Sequence, residues 1–285
     1  MKTAVATFAY PAPSIDIYAK ECLHSLAKQT DRDFSLFVFN DGLASIAQIV
    51  SDSKINAEIV PVSGDPAAIR RHAIRHLIEC GFDIIVFADI DDLFDVQRVE
   101  VAKKLIQAGI DIVVNELILF GQSYPQPYHM LEGRLKEGDA LTSADIRQGN
   151  CLGMSNTALR TSAITDKALE AHPVTAFDWF FYTNILANGA SAKFTAKVQT
   201  LYRQHANNIA PIHHLDDTNI LRGLKIKHQH FHAMSNDYAK ELAHTIALAN
   251  TDDFQKQAYC RAVRSAMRPQ PFWWEPIKTF KELGL

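Results

Sequence analysis

The sequence is short of several things, and each shortage removes a class of function. Lys and Arg together number 29 against 32 Asp and Glu, a formal net charge of -3. That leaves no basic footprint, so no nucleic-acid partner is expected, although a single nucleotide is compatible. There are four cysteines, Cys22, Cys80, Cys151 and Cys260, far apart and without a C-x-x-C pair. The pattern suits a reduced, cytoplasmic protein better than a disulfide framework or a zinc site. No apolar run approaches the length that spans a bilayer. The opening "MKTAVATFAYPAP" is interrupted by Thr7 and stops at Tyr10-Pro11, so it reads as a first strand rather than a signal peptide. Neither G-x-G-x-x-G nor G-x-x-x-x-G-K-[ST] occurs, so any pyrophosphate must be neutralised without a Gly-rich phosphate loop. Internal repeats and low-complexity segments are absent too.

What is present is an alternation of strands and helices. "TAVATFAY" reads as a strand, and "IDIYAKECLHSLAKQ" as a helix with Tyr18, Cys22 and Leu26 on one face. "FSLFVFN", the short helical "ASIAQIVSD" and "AEIVPV" continue the pattern. The next helix has Asp65 as N-cap, Pro66 at its first position and Gly81 just past its end. Its apolar stripe is Ile69, Ala73 and Leu77, which leaves Arg70, Arg71 and Arg75 on other faces. "DIIVFA", "VQRVEVAKKLIQA" and "DIVVNELILF" follow as strand, helix and strand. Such alternation implies an α/β fold with a mostly parallel central sheet covered on both sides. From Gly121 to Ser143 the chain turns Gly-, Pro- and polar-rich and reads as a loop or lid. "AFDWFFYTNILANG" is a buried aromatic helix carrying Asp178 between Phe177 and Trp179, and "KFTAKVQTLYRQH" a further strand. From Asp216 onward the pattern is helical, which divides the chain into a sheet domain, residues 1–215, and a helical extension, residues 216–285.

The stretch "IIVFADIDDLFD" sets the chemical problem, because a strand ends in Asp89, Asp91 and Asp92. Carboxylates this close repel one another unless a cation lies among them. A helix start would account for some of them, since Asp caps helices well. A divalent metal would account for the crowding, since Mg²⁺ and Mn²⁺ favour oxygen ligands. Position favours the metal: open α/β sheets bind ligands beyond the carboxyl ends of their strands, where Ala9-Tyr10, Asn40-Asp41 and the triplet all lie.

In five stretches the sequence resembles the family 2 glycosyltransferases of the GT-A fold, over roughly residues 3 to 210. They are "CLHSLAKQTDRDFSLFVFNDG", "IRRHAI", "FADIDD" as the D-x-D signature, "FDWFFYTNILANG" as the Glu-Asp-Trp helix, and "YRQHANN". Their order and spacing carry the resemblance, since each alone is weak. It implies a GT-A catalytic domain that takes a nucleotide-sugar donor, most commonly a UDP-sugar, with Mn²⁺ or Mg²⁺. By position, Phe8, Ala9, Tyr10 and Asp41 would line the nucleotide pocket, with Asp41 accepting from the base. Arg71 would approach the base or phosphates, Asp89 the ribose or metal, and Asp91 would ligate the metal with His205 beside it. Asp178 would be the general base and Trp179 would contact the acceptor, a glycan or lipid-linked hydroxyl of a surface polysaccharide. Inversion at the anomeric carbon is implied as well.

Three positions depart from the family pattern. Asn40 replaces the first acid of an Asp pair, His72 stands where Asn is common, and Phe177 replaces a Glu beside the base. The last leaves Asp178 in an apolar setting, which would raise its pKa or mark a degenerate domain that binds without turnover. Nucleotidyl transfer would need an Arg- and Lys-bearing loop after the first strand, and a D-x-D phosphatase an acid at the end of that strand; neither is present. The histidines of "HHLDD" and "KHQHFH" invite a second metal site, since His228 and His232 lie one helical turn apart, but no acidic or cysteine partner accompanies them. The C-terminal "RAVRSAMRPQPFWWEP" could rest on a membrane surface or pack Trp273 and Trp274 into the core.

Overall fold

The computed structural model describes residues 1–121, 124–205, 215–251 and 253–285. The histidine pair of "HHLDD" and the end of "YRQHANN" lie outside the described residues. β1 (Thr3–Ala9), β2 (Ser35–Asn40), β3 (Ala57–Pro61) and β4 (Ile84–Asp89) are parallel neighbours in the order β3-β2-β1-β4. Between them run α1 (Ile15–Ala27), α2 (Ile46–Asp52) and α3 (Pro66–Glu79). The Asp65 carboxylate caps α3 by accepting from the Ala68 amide at 2.9 Å, and Gly81 ends the turn after α3 with a φ of 72°.

Beyond β4 the sheet departs from the expected parallel order. β5 (Leu93–Phe94) and α4 (Arg98–Gln107) lead into β6 (Ile112–Gly121). β7 (Tyr124–His129) pairs antiparallel with β6, and β8 (Ala140–Leu141) with the later β10, so part of the expected loop is strand. Its two prolines and short pieces hide a period of two, and Pro is tolerated on a sheet edge. β9 (Thr157–Arg160) lies antiparallel between β4 and β6, and β10 (Ala192–Gln204) runs parallel to β6 across a bulge. Only four residues long, β9 is too brief to show a pattern. Ten strands form this sheet among the described residues.

Side-chain alternation along β1 divides the core into two layers. Val5 and Ala9 pack with α1, α2 and α4 on one face. Ala4, Ala6 and Phe8 pack with α3 and with α5 (Phe177–Ala187) on the other. That second layer continues without a break into α6 (Asp217–Ala233), α7 (Tyr238–Ala249) and α8 (Asp253–Ser265), through Leu224, Phe231 and Tyr259. After α8 the chain returns to the sheet. Asn150 and Trp273 exchange backbone hydrogen bonds of 2.9 and 3.0 Å, and Arg134 grips Glu275 through both guanidinium nitrogens at 2.7 and 3.2 Å. Lys227, fully buried, ties α6 to both segments by donating to the carbonyls of Gln148 at 2.8 Å and Ile277 at 2.7 Å. No helix among the described residues is long and apolar enough to cross a membrane.

Candidate active site

The carboxyl ends of β1, β2 and β4, the first turns of α3 and α5, the end of β10 and the C-terminal segment enclose a cavity of about 250 Å³. Parallel strands place their carboxyl ends side by side, which brings Phe8, Ala9, Tyr10, Asp41, Asp89 and Asp91 to one rim. Phe8 and Phe39 stack at 5.8 Å behind that rim.

Each acid of the triplet has its own partner. Asp89 accepts from Arg70 at 3.1 Å, and burial still holds its carboxyl above the usual range against the opposing pull of that guanidinium. Asp91, 7% exposed, has its Oδ2 2.9 Å from His205 Nε2 and 3.5 Å from the Tyr10 hydroxyl. Asp92 faces away from the cavity: it accepts from the Ser155 hydroxyl and from the Arg203 amide at 2.7 Å. Beneath it Arg98, buried in α4, donates to the Phe87 carbonyl at 2.7 Å and to Asn115 at 2.9 Å. Burial lowers its guanidinium to about 10 while Asp92 opposes the shift. The crowding is therefore met in part by protein cations and donors.

Arg70, not Arg71, reaches the cavity. Its guanidinium lies 5.5 Å from the Phe8 ring centre. Arg71, one residue and 100° further round α3, lies over Phe177 at 5.8 Å and has a buried Nη1 without a partner among the described residues. Its expected approach to the nucleotide is corrected on that ground.

Asp178 lines the same cavity from the first turn of α5, where backbone N–H groups favour an anion. Its Oδ1 accepts from the Trp179 amide at 2.9 Å and its Oδ2 from the Asn150 side-chain amide at 3.2 Å. Asn150 is itself fixed within its loop, donating to the Leu152 carbonyl and accepting from the Leu152 amide. Burial pushes the Asp178 carboxyl up to about 6, with Arg70 opposing. Trp179 does not line the cavity. It is fully buried, stacked on His230 at 3.8 Å, and its indole N–H donates to the Ile146 carbonyl at 2.7 Å. The acceptor contact expected of it is thus corrected, because its ring packs into the core between α5 and α6. Phe177, 1% exposed, also faces the core, stacked on Phe181 at 5.5 Å.

Other residues complete the cavity without any signal in the motifs: Gly153, Met154 and Ser155 before β9, Tyr202 on β10, and Trp273 with Trp274. Both indoles are taken up by the cavity wall. Gly153 is required there, since a Cβ would lie 2.8 Å from the Trp273 ring.

Among the described residues no group of three or more His, Cys, Asp or Glu side chains converges as a complete metal cage. Asp91 and His205 nonetheless offer adjacent oxygen and nitrogen donors at the cavity. Two protein donors fit a Mg²⁺ or Mn²⁺ ion that takes its remaining ligands from substrate phosphates and water.

No protein-family profile matches this sequence, and no curated protein does either. Solved structures share its fold. Residues 1–349 of S. aureus TarS, in complex with UDP, match with a TM-score of 0.60 at 14% identity, over 93% of this chain and 79% of that one. The mannosyltransferase PcManGT from Pyrobaculum calidifontis, in complex with GDP-Man and Mn²⁺, gives 0.56 at 16% identity, over 93% and 74%. A mycobacterial protein gives 0.53 at 12% identity, over 82% and 75%. The chain has a GT-A-like glycosyltransferase fold.

Proposed function

We propose that the protein is a metal-dependent, inverting glycosyltransferase. It moves a sugar from a nucleotide-diphosphate donor, a UDP-sugar, to a hydroxyl of a glycan or lipid-linked acceptor in surface-polysaccharide assembly. The observation that carries this reading is one cavity lined by two unlike groups: the Asp91–His205 pair beside the strand ends, and a carboxylate of raised pKa, Asp178, on α5. UDP in TarS, and GDP-Man with Mn²⁺ in PcManGT, support the donor class.

Phe8, Ala9 and Tyr10 would form the wall for the base, and the Asp41 carboxylate would accept from its N–H. Arg70 supplies guanidinium donors beside the place of the phosphates, and Asp89 keeps that side chain aimed. Asp91 and His205 would hold Mn²⁺ or Mg²⁺, which when bound offsets the charge that builds on the departing diphosphate. Asp178 would take the proton of the acceptor hydroxyl as that oxygen attacks the anomeric carbon opposite the leaving group, inverting the centre. A raised pKa makes Asp178 a stronger base once ionised. Residues 1–215 would hold the donor and base, and residues 216–285 would close the acceptor side.

A degenerate domain that binds donor without turnover is the rival reading. Phe177 is its argument, but that side chain faces the core, and both Asp178 oxygens are held by donors as a working base requires. Peripheral membrane contact through the C-terminal segment would rest on basic residues of α8, since Trp273 and Trp274 are engaged at the cavity. The deciding experiment is a calorimetric titration of UDP and GDP with and without Mn²⁺. Metal-dependent binding of one of them is expected; binding of neither would overturn the reading.

A further inference from the structure

We infer that the acceptor is a neutral glycan ending in a pyranose, and that Trp274 is the platform on which its terminal ring lies. The inference rests on the glycosyltransferase reading for the role of the cavity; the wall that carries it is a property of the structure alone.

Trp273 is joined to the base through one residue. Its backbone pairs with Asn150 in both directions, and the Asn150 amide donates to Asp178. Whatever lies against this segment in the cavity is therefore beside the group that must meet the acceptor hydroxyl. The segment also stands across the sheet from the donor rim, since Trp273 packs edge-on to Tyr202 of β10 at 5.7 Å while the nucleotide wall belongs to β1 and β2.

Trp274 is half-buried and has a φ of 67°, in the left-handed region that bulky residues avoid. Such strain persists only where the surroundings over-determine it. Here they do: Trp273 is pinned by Asn150, Glu275 by Arg134, and Gly223 lets Trp274 and Ile277 close on α6, with a Cβ there 3.1 Å from Ile277 and 3.7 Å from Trp274. A large aromatic is thus held in an unfavourable backbone state and presented to the cavity. Trp273, 8% exposed, lines the same cavity beside it and widens the aromatic wall.

An aromatic wall beside polar groups suits a molecule that is apolar on one face and hydroxylated at its edges, as a pyranose is. Charge argues against an anionic acceptor. The described lining carries four carboxylates, Asp41, Asp89, Asp91 and Asp178, against one guanidinium, Arg70, which is paired with Asp89. A phosphate or carboxylate at the tryptophan wall would add to this excess of negative charge beside Asp178, and the one guanidinium of the described lining already pairs with Asp89.

The test uses the full chain without nucleotide: saturation-transfer NMR and calorimetry with neutral di- and trisaccharides and with their phosphorylated and uronic-acid counterparts. Wild type, Trp274→Gly and Trp274→Phe are compared; glycine suits the left-handed backbone, so the turn is kept. At least one neutral saccharide should bind through its ring C–H protons, weakened about tenfold or more by Trp274→Gly and within about threefold in Trp274→Phe. Tighter binding of the anionic counterparts, unchanged binding to Trp274→Gly, or no neutral saccharide bound at millimolar concentration would overturn the inference. UDP with Mn²⁺, titrated separately, should bind all three proteins alike. Its failure to bind wild type would sink the donor reading, while the saccharide result would still decide the platform.

Discussion

The Asn150 side chain donates to the Asp178 carboxylate at 3.2 Å while its backbone is locked to Trp273. Asn150 is therefore a positioning residue that favours the ionised form of Asp178. In Asn150→Ala the lost donor should raise the Asp178 pKa by about one unit, on the scale of a hydrogen bond to a charged group. The acid limb of the pH–rate profile should move upward by that amount, a change that general loosening would not produce. Leu152 also loses both its side-chain partners, so thermal stability should fall by about 2 kcal/mol.

Asp178 itself gives a pH signature with a definite sign. Burial places its carboxyl at about 6, Arg70 lowering it and Asp89 adding to the rise. A base must be ionised, so kcat/KM should climb with pH and level off above about 6. Stability runs the other way. The folded protein holds this proton more tightly than the unfolded chain, so the stabilisation is present below the ordinary carboxyl value and is lost as pH rises through about 6. Asp178→Asn should remove both dependences, spare UDP binding, and lower transfer by about a hundredfold or more. Near-normal transfer in that variant would require a different base.

Arg70 and Arg71 are neighbours in sequence with opposite surroundings. Arg70→Ala should weaken nucleotide binding by about tenfold through loss of charge-assisted donors, and Arg71→Ala by less than about twofold. Calorimetry on the two variants reads this directly. Equal losses would mean that α3 turns when nucleotide binds.

Asp91→Asn, or EDTA added to the wild type, should abolish the rise in melting temperature that Mn²⁺ and UDP produce together, since a ligand that binds only the folded state stabilises it in proportion to its affinity. A full shift without Asp91 would move the metal elsewhere.

Much of this site can be read from the sequence where local rules apply. β1, β2 and β4 announce themselves by apolar runs and α3 by its cap, so the acids at their ends fall at the cavity rim as expected. Helical phase is harder to read. Arg70 and Arg71 both lie off the apolar stripe, and only tertiary packing decides which one meets Asp89. For Trp179 a motif position does not set the side-chain direction, and stacking on His230 turns the ring inward. Trp273 and Trp274 had no local signal at all, since they join the site through a backbone pairing to residue 150 and an ion pair to residue 134.

The antiparallel β9 has a consequence for how the molecule is made. β4 is complete at residue 89 and β6 at residue 121, yet the strand that pairs with both begins only at residue 157. A nascent chain passing through that interval carries two open sheet edges, and non-local pairings of this kind form slowly. β1 to β4 pair among themselves, but joining them to β6 needs β9, and completing the sheet needs β10, which begins only at residue 192. Chaperone dependence during synthesis, and inclusion bodies from fragments ending before residue 157, are the expected biological cost of a strand inserted so late.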